Sequence, residues 1–195
     1  MKSRRSDPRR FVEALEDRVL LSGDYAFAYQ IGSAPTHTLS NNDLGNATAV
    51  DRQGNSYIAG GFAGTVDFNP NSRRQFLMTS LGLTDIFVAK YAPDGTFLWA
   101  RQAGGLGEDQ ATCVTVDKHG SVFVGGGFSM EADFKPGKRQ AVLSCEGGTD
   151  GFVWELDYTG SLVNAIRAGG PQNDAVNKIA LDPNNFIVIS GFPRH

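Results

Sequence analysis

The strongest constraint on this chain of 195 residues is that it repeats itself at a spacing of 65 to 66 residues. The tripeptide Ala-Val-Asp at 49–51 returns as Thr-Val-Asp at 115–117 and as Ala-Leu-Asp at 180–182. Further matches keep the same offset, including Thr-Asp-Ile-Phe-Val at 84–88 and Thr-Asp-Gly-Phe-Val at 149–153. A fixed period of this kind indicates one supersecondary unit stacked on copies of itself.

Each period contains four short runs rich in β-branched and aromatic residues and bounded by Gly, Asp, Asn and Pro, a pattern typical of strands. In the second copy the runs are 111–116, 121–126, 151–156 and 161–167. An Asp-x-x-Gly segment follows the first run at 51–54 and again at 117–120, and it predicts a tight turn. In the third copy the sequence predicts that this turn, at 182–185, is one residue shorter.

Four strands per repeat without helical periodicity are typical of the blades of a β-propeller. The period exceeds the 40 to 50 residues of common propeller repeats, and the excess lies in the connection at 69–82. A parallel β-helix needs shorter rungs, and a β-sandwich does not require a repeated sequence. We therefore predict an all-β protein, a partial β-propeller built from four-stranded antiparallel blades.

The predicted propeller occupies residues 23–195 and is incomplete. A fourth strand at 23–33 is followed by one blade at 43–105, a second at 109–170 and a half blade at 174–195. Because propellers close with about four to eight blades, a chain of this length cannot close alone. The sequence thus predicts self-association through open blade faces, or a fragment of a larger propeller.

The first repeat resembles the bacterial SBBP-type β-propeller repeat. The resemblance rests on Ala-Val-Asp at 49–51, Tyr-Ile-Ala-Gly at 57–60, Asp-Phe at 67–68, Asp-Ile-Phe-Val-Ala-Lys at 85–90 and Gly-Thr-Phe-Leu-Trp-Ala at 95–100. The second repeat departs from the pattern with Trp154 in its third strand and Asn164 in its fourth. The resemblance implies a propeller and no particular chemistry.

Residues 1–22 differ in character from the repeats. Residues 1–10 contain five basic residues and one acid, although the whole chain has a net charge of −3. The segment at 15–22 resembles the LEPR-XLL motif found near the start of many exported bacterial surface proteins, with Asp17 in place of its Pro. We expect a basic leader, helical or disordered, that directs the protein to an extracellular or cell-surface location. The sequence predicts no transmembrane segment, since no apolar run approaches 18 residues.

The best candidate for a ligand site is a recurring acid. Asp43, Asp109 and Asp174 each lie eight residues before the Asp of the turn, where equivalent loops of a closed propeller form a ring at one mouth. Rings of carboxylates bind hard cations such as calcium. The alternative is that each Asp caps a turn or holds a neighbouring blade through backbone amides, and repetition in every blade favours this structural role. We therefore assign no metal site and keep the three acids as weak candidates.

No catalytic or cofactor-binding residues are predicted. His37, His119 and His195 occupy unrelated positions in the repeat, and no nucleophile elbow, zinc signature or phosphate-binding loop occurs. Cys113 and Cys145 are expected to be free thiols, although an exported protein would permit a disulfide between them.

The expected function is a non-enzymatic scaffold that binds protein or polysaccharide ligands. The acidic repeats argue against nucleic acid as a partner. The alternatives are a propeller-type glycan lyase or hydrolase, or a truncated fragment without independent activity.

Overall fold

The computed structural model describes residues 43–70, 72–137 and 141–191. These residues form fourteen β-strands in antiparallel sheets and no helix, which confirms the all-β prediction. The basic leader at 1–22 and the predicted strand at 23–33 lie outside the described residues. The described residues include no helix that could span a membrane.

We refer to residues 43–105, 109–170 and 174–191 as repeats 1, 2 and 3. Repeat 1 contains β1 (Leu44–Val50), β2 (Ser56–Phe62), β3 (Thr65–Asp67), β4 (Leu77–Thr79), β5 (Asp85–Tyr91) and β6 (Phe97–Gly105). Repeat 2 contains β7 (Gln110–Val116), β8 (Val122–Phe128), β9 (Glu131–Asp133), β10 (Val142–Ser144), β11 (Asp150–Leu156) and β12 (Leu162–Ala168). Repeat 3 contains β13 (Val176–Leu181) and β14 (Ile187–Gly191).

The first two repeats have the same main sheet. Its order is β1-β2-β5-β6 in repeat 1 and β7-β8-β11-β12 in repeat 2, with antiparallel pairing throughout. The four predicted strands of each repeat form this main sheet, and the long connection between the second and third main strands forms an additional hairpin that the sequence did not predict. This hairpin is β3–β4 in repeat 1 and β9–β10 in repeat 2.

Consecutive repeats pack face to face through an apolar core. Repeat 2 contributes Phe134, Phe152 and Trp154, and the ring of Phe134 lies 5.1 Å from that of Phe152 and 5.8 Å from that of Trp154. The facing surface of repeat 1 contributes Tyr57 and Trp99. All five side chains are buried, so the interface between these repeats is the main hydrophobic core of the described chain.

The last strand of repeat 1, β6, forms hydrogen bonds with repeat 2. Gly104 and Gly105 at the end of β6 pair with β9, so that the β9–β10 hairpin extends the sheet of the preceding repeat. Further along β6, Arg101 donates hydrogen bonds to the carbonyls of Thr159 (2.9 Å) and Gly160 (2.7 Å). The repeats are therefore connected by backbone pairing and by side-chain hydrogen bonds as well as by apolar contact.

In repeats 1 and 2, a β-bulge in the first strand links the repeat to the one that follows it. The bulged residues in repeats 1 and 2 are Asn46 and Thr112. Asn46 Nδ2 donates to the carbonyl of Ala111 (2.8 Å), and Thr112 Oγ1 donates to the carbonyl of Val176 (2.5 Å). Because Ala111 and Val176 occupy the same position in successive repeats, the hydrogen bond itself repeats with the fold.

The turn of repeat 3 has the same length as the turns of repeats 1 and 2. The amide of Asn185 donates to the carbonyl of Asp182, as Gly54 does to Asp51 and Gly120 to Asp117. All three turns therefore have the same length, and the expectation of a shorter third turn was wrong. The left-handed position is filled by Gly54 (φ 82°), by Gly120 (φ 87°) and by Asn185 (φ 68°), the non-glycine residue type that tolerates this conformation best.

Candidate functional site

The three equivalent turns meet at one pocket. Its lining comes from 50–52 in repeat 1, from 116–118 in repeat 2 and from 181–183 with Asn185 in repeat 3, and its volume is about 310 Å³. In each repeat these residues are the end of the first strand and the start of the turn. We call this the turn pocket. It exists only because the first strands of three successive repeats lie side by side.

The aspartates of the turn pocket are used mainly to hold their own turns. Asp51 Oδ1 accepts hydrogen bonds from the amides of Gln53 (3.0 Å) and Asn55 (2.8 Å). Asp117 and Asp182 accept the two equivalent amide bonds in their turns. The sequence reasoning that an Asp here closes a tight turn is thus correct in its geometry.

In the first two turns, the second carboxylate oxygen of the Asp also accepts hydrogen bonds. Asp51 Oδ2 accepts from Asn55 Nδ2 (2.8 Å) and the Tyr57 hydroxyl (3.1 Å), with Lys90 Nζ at 3.6 Å. Burial alone would raise the pKa of Asp51, but these hydrogen bonds and the Lys90 charge outweigh it and lower the pKa. Burial and the Asp51 carboxylate together raise the pKa of Tyr57.

Asp117 in turn connects two repeats, since its Oδ2 accepts a hydrogen bond from Asn185 Nδ2 (3.0 Å). Burial would raise the pKa of Asp117, but its hydrogen bonds with Ser121, Asn185 and His119 lower it. A carboxylate whose pKa is lowered and whose oxygens are occupied does not act as a general acid or base near neutral pH. Asp51 and Asp117 are therefore structural anions.

The exposed charges of the turn pocket are basic. Arg52 and Lys118 occupy the same position in successive repeats, both are exposed, and neither forms an ion pair with another described residue. Pro183 takes this position in repeat 3. The floor combines three aliphatic side chains, Val50, Val116 and Leu181. A pocket with an apolar floor and two free cations at its rim can bind a ligand that has an anionic group.

The acids predicted as a ring, Asp43, Asp109 and Asp174, lie at the opposite end of the first strands. Asp43 Oδ1 accepts from the amide of Ala63 (3.1 Å), and Asp174 Oδ2 accepts from the amide of Gly170 (2.9 Å). Each carboxylate therefore binds backbone amides, as the structural alternative to a cation site predicts.

Asp109 is fully buried and lies at the boundary between repeats 1 and 2. Its Oδ2 accepts from the amide of Gly105 (2.8 Å) and its Oδ1 from the amide of Ser129 (3.0 Å). Burial, and to a lesser extent the nearby charge of Asp85, raises the pKa of Asp109 to about 6 despite these two hydrogen bonds.

Other candidate groups do not form a reactive cluster. Within the described ranges, no three His, Cys, Asp or Glu side chains are arranged to hold a metal ion. His119 lies in the turn of repeat 2, whereas His37 and His195 fall outside the described residues. Cys113 and Cys145 are both free thiols, and burial raises the pKa of each. A thiol with a raised pKa is a weak nucleophile at neutral pH.

Sequence reasoning missed the turn pocket and the bulge donors. The three turns were recognised as equivalent, but only the stacking of the repeats brings 50–52, 116–118 and 181–183 together. The available signal was the basic residue after Asp51 and after Asp117. Asn46 and Thr112 had no signal of their own, because a bulge is not visible in a short strand pattern.

Comparison with known proteins gives one distant similarity and no family. No protein-family model matches the chain. The chain is 26% identical over 110 residues to the regulatory protein FlaEY of Caulobacter vibrioides. The match covers 56% of this chain and 12% of that protein, so the chain spans a small part of the length of this relative.

Proposed function

We propose that this chain is a β-propeller segment of the SBBP type that acts as a non-enzymatic binding scaffold. The observation that carries the proposal is the turn pocket, where three successive repeats present the same turn to one space. In a propeller, the first strands of the blades lie around a common axis, and equivalent turns meet at one mouth. The face-to-face packing of repeats 1 and 2 supports the same arrangement.

The ligand chemistry that fits the turn pocket is an anionic group on a protein or polysaccharide. Arg52 and Lys118 offer free positive charge, whereas the oxygens of Asp51 and Asp117 are engaged in hydrogen bonds. A binding role is favoured over the glycan lyase or hydrolase alternative because the carboxylate oxygens of Asp51 and Asp117 are held in hydrogen bonds within the fold and their pKa values are lowered.

A binding screen with matched variants tests this proposal. The full chain is assayed against neutral polysaccharides, carboxylated polysaccharides and acidic peptides, and its retention by each is compared with that of Arg52→Glu/Lys118→Glu. Arg73→Glu is the control, because Arg73 is also exposed but lies in the connection between β3 and β4. We expect at least one carboxylated ligand to retain the wild type and the Arg73→Glu control but not the double variant. Equal retention by all three proteins, or depolymerised product from any polysaccharide, would refute the proposal.

We further propose that the open faces of the propeller segment mediate self-association. The apolar side chains Ile187, Val188 and Ile189 of β14 in repeat 3 are exposed. On repeat 1, an apolar pocket of about 180 Å³ borders Phe62, Phe68 and Phe87, whose side chains are themselves buried. Sedimentation velocity over a range of concentrations tests this proposal, and a monomer at every concentration would contradict it.

Export to the cell surface is proposed on the sequence of residues 1–22 alone. A reporter fused to these residues should leave the cytoplasm of the native host, and one fused to residues 23–42 should remain there. If both reporters remain in the cytoplasm, the export proposal fails, while the binding proposal is unaffected.

A further inference from the structure

Four large apolar side chains are exposed where three loops of repeats 1 and 2 come together. They belong to the β4–β5 loop, the β6–β7 loop and the connection between β8 and β9, and they are Leu81, Leu83, Leu106 and Met130. Their exposed fractions lie between 56% and 75%. We call these four residues the loop patch. Scattered apolar residues are normal on a surface, whereas a cluster of them indicates an interaction site.

The three loops are in direct contact. A Cβ added to Gly82 would lie 2.4 Å from the carbonyl oxygen of Leu106, so the β4–β5 loop packs on the β6–β7 loop there. Two residues after Leu106, the amide of Glu108 donates to Ser129 Oγ (2.8 Å). Ser129 is the residue before Met130. The four residues of the loop patch therefore lie next to these contacts, at one end of the junction between repeats 1 and 2.

The loop patch does not recur along the chain. The equivalent positions one period away contain no large apolar side chain and are occupied by Glu146, Gly148, Pro171 and Gly64. By contrast, the features that hold the fold do recur, such as the Asp of each turn and the hydrogen bond from each bulge. Repeats 1 and 2 form the same main sheet although their residues differ at these positions. The fold therefore does not require the loop patch.

The backbone of Met130 supports the same conclusion. Met130 has a φ of 60°, in the left-handed region, whereas Gly64 with a φ of 70° occupies the equivalent position in repeat 1. This conformation costs free energy for a residue such as Met and almost none for Gly. Because the Met130 side chain is exposed, its packing returns little of that cost. Backbone strain of this kind is typical of functional positions.

The charged residues around the loop patch are acids. Glu108 and Glu131 are exposed, and neither forms an ion pair with another described residue. Glu131 Oε1 accepts a hydrogen bond from the Ser144 hydroxyl (3.3 Å). No Lys, Arg or His occurs at 80–84, 105–109 or 129–131, the segments that form this surface. A complementary ligand therefore combines apolar side chains with positive charge.

We propose that the loop patch binds the basic leader, residues 1–22 of the same chain. The leader has both required properties, because five basic residues at 1–10 are followed directly by apolar ones: Phe11, Val12, Leu15 and Val19. A second copy of the loop patch is a poorer partner. In a two-fold interface the same surface faces itself, so Glu108 and Glu131 would meet their own like charges.

The place where the leader joins the fold suits this contact. Asp43, the first described residue, precedes β1 as Asp109 precedes β7, so the chain enters at the end of the repeats that carries the loop patch. The 20 residues at 23–42 connect the leader to Asp43 and can span at most about 65 Å. This reach is about twice the roughly 30 Å diameter of a small domain. The turn pocket lies at the opposite end of the first strands, so the two proposed sites are separate.

Photocross-linking in the full chain tests the proposal. The photoreactive residue p-benzoylphenylalanine replaces Leu106 in one protein and Pro171, the exposed equivalent of Leu106, in the control. After irradiation, mass spectrometry identifies the linked peptides, and the mass of the product separates links within one chain from links between copies. We expect the probe at position 106, but not at 171, to link to residues 1–22 of its own chain. High salt should lower the yield, because exposed charges are screened.

Charge reversal makes the test specific to the acids beside the loop patch. With the probe at position 106, Arg9→Glu/Arg10→Glu should lower the yield of leader cross-links by about 5-fold, the effect of losing two exposed ion pairs. Adding Glu108→Lys/Glu131→Lys to that protein should restore the yield. Equal leader cross-links from positions 106 and 171, links to a second copy instead of the leader, or no links at all would overturn the proposal. A yield that the charge swap fails to restore would overturn it as well.

Discussion

Trp154 offers the sharpest test of the interface between repeats 1 and 2. Its side chain is 1% exposed and packs against Phe134 in the core that joins the two repeats. Truncation of a buried Trp to Ala costs about 3–5 kcal/mol, since the lost burial and the remaining cavity both destabilise the folded state. For a chain of this size the cost corresponds to a decrease of roughly 10 °C in Tm.

Trp154→Phe should behave quite differently. The indole Nε1 of Trp154 is buried without a hydrogen-bond partner, and an unsatisfied buried donor costs about 1–3 kcal/mol. Replacement by Phe removes this donor and gives up about 40 Å² of apolar burial, which is worth about 1 kcal/mol. The two effects oppose each other, so Trp154→Phe should lie within about 1 kcal/mol of the wild type and is expected on the stable side.

Urea-induced unfolding of both variants, followed by circular dichroism, measures the difference directly. Val163→Ala is a suitable control, because Val163 is exposed on β12 and makes no contact with this core. If Trp154→Ala lowers the free energy of unfolding by less than about 1 kcal/mol, Trp154 is not part of a tightly packed interface and the reasoning is refuted. It is also refuted if Trp154→Phe is as unstable as Trp154→Ala, since the indole would then have a partner that the structure does not contain.

Two further predictions concern the turns around the turn pocket. The pKa values of Asp51 and Asp117 are lowered on folding, so their contribution to stability is present above the ordinary value of 3.8 and is lost as pH falls below it. Asp117→Asn should therefore be less stable than the wild type at neutral pH. When stability is followed during acid titration, this variant should lose less stability than the wild type, and an unchanged acid transition would contradict this. Asn185→Gly should destabilise the fold only through the loss of the hydrogen bond to Asp117. Asn185→Ala should lower the free energy of unfolding by about 1 kcal/mol more, because Ala disfavours a φ of 68°. Equal Tm values for the two Asn185 variants would show that the left-handed conformation carries no cost.

Local features of the chain could be predicted from sequence because they depend on neighbouring residues. The Asp-x-x-Gly turns at 51–54 and 117–120 form as expected, since the Asp side chain and the positive φ of Gly act within five residues. The main strands were also identified, because each alternates or concentrates apolar residues over about seven positions. Because the same pattern occurs at matching positions in successive repeats, a strand that was ambiguous in one repeat could be assigned from its equivalent in the next.

The extra hairpins β3–β4 and β9–β10 escaped prediction for a physical reason. Each of their strands has three residues, too few for an alternating pattern to exceed chance. The β9–β10 hairpin is held by pairing with Gly104 and Gly105 of the preceding repeat. Its partners are thus about 30 residues away in sequence, and no local propensity reports such a contact.

The period determined by itself that one β unit is stacked on its copies, and the turn motifs determined where each strand reverses. Only the tertiary structure decided which residues of different repeats meet. It placed Arg52 and Lys118 at one pocket and directed Asp43 and Asp174 to backbone amides. The reason is that binding sites depend on distances between repeats, and these are set by the packing of buried aromatic faces whose angle and register are not encoded in any single segment.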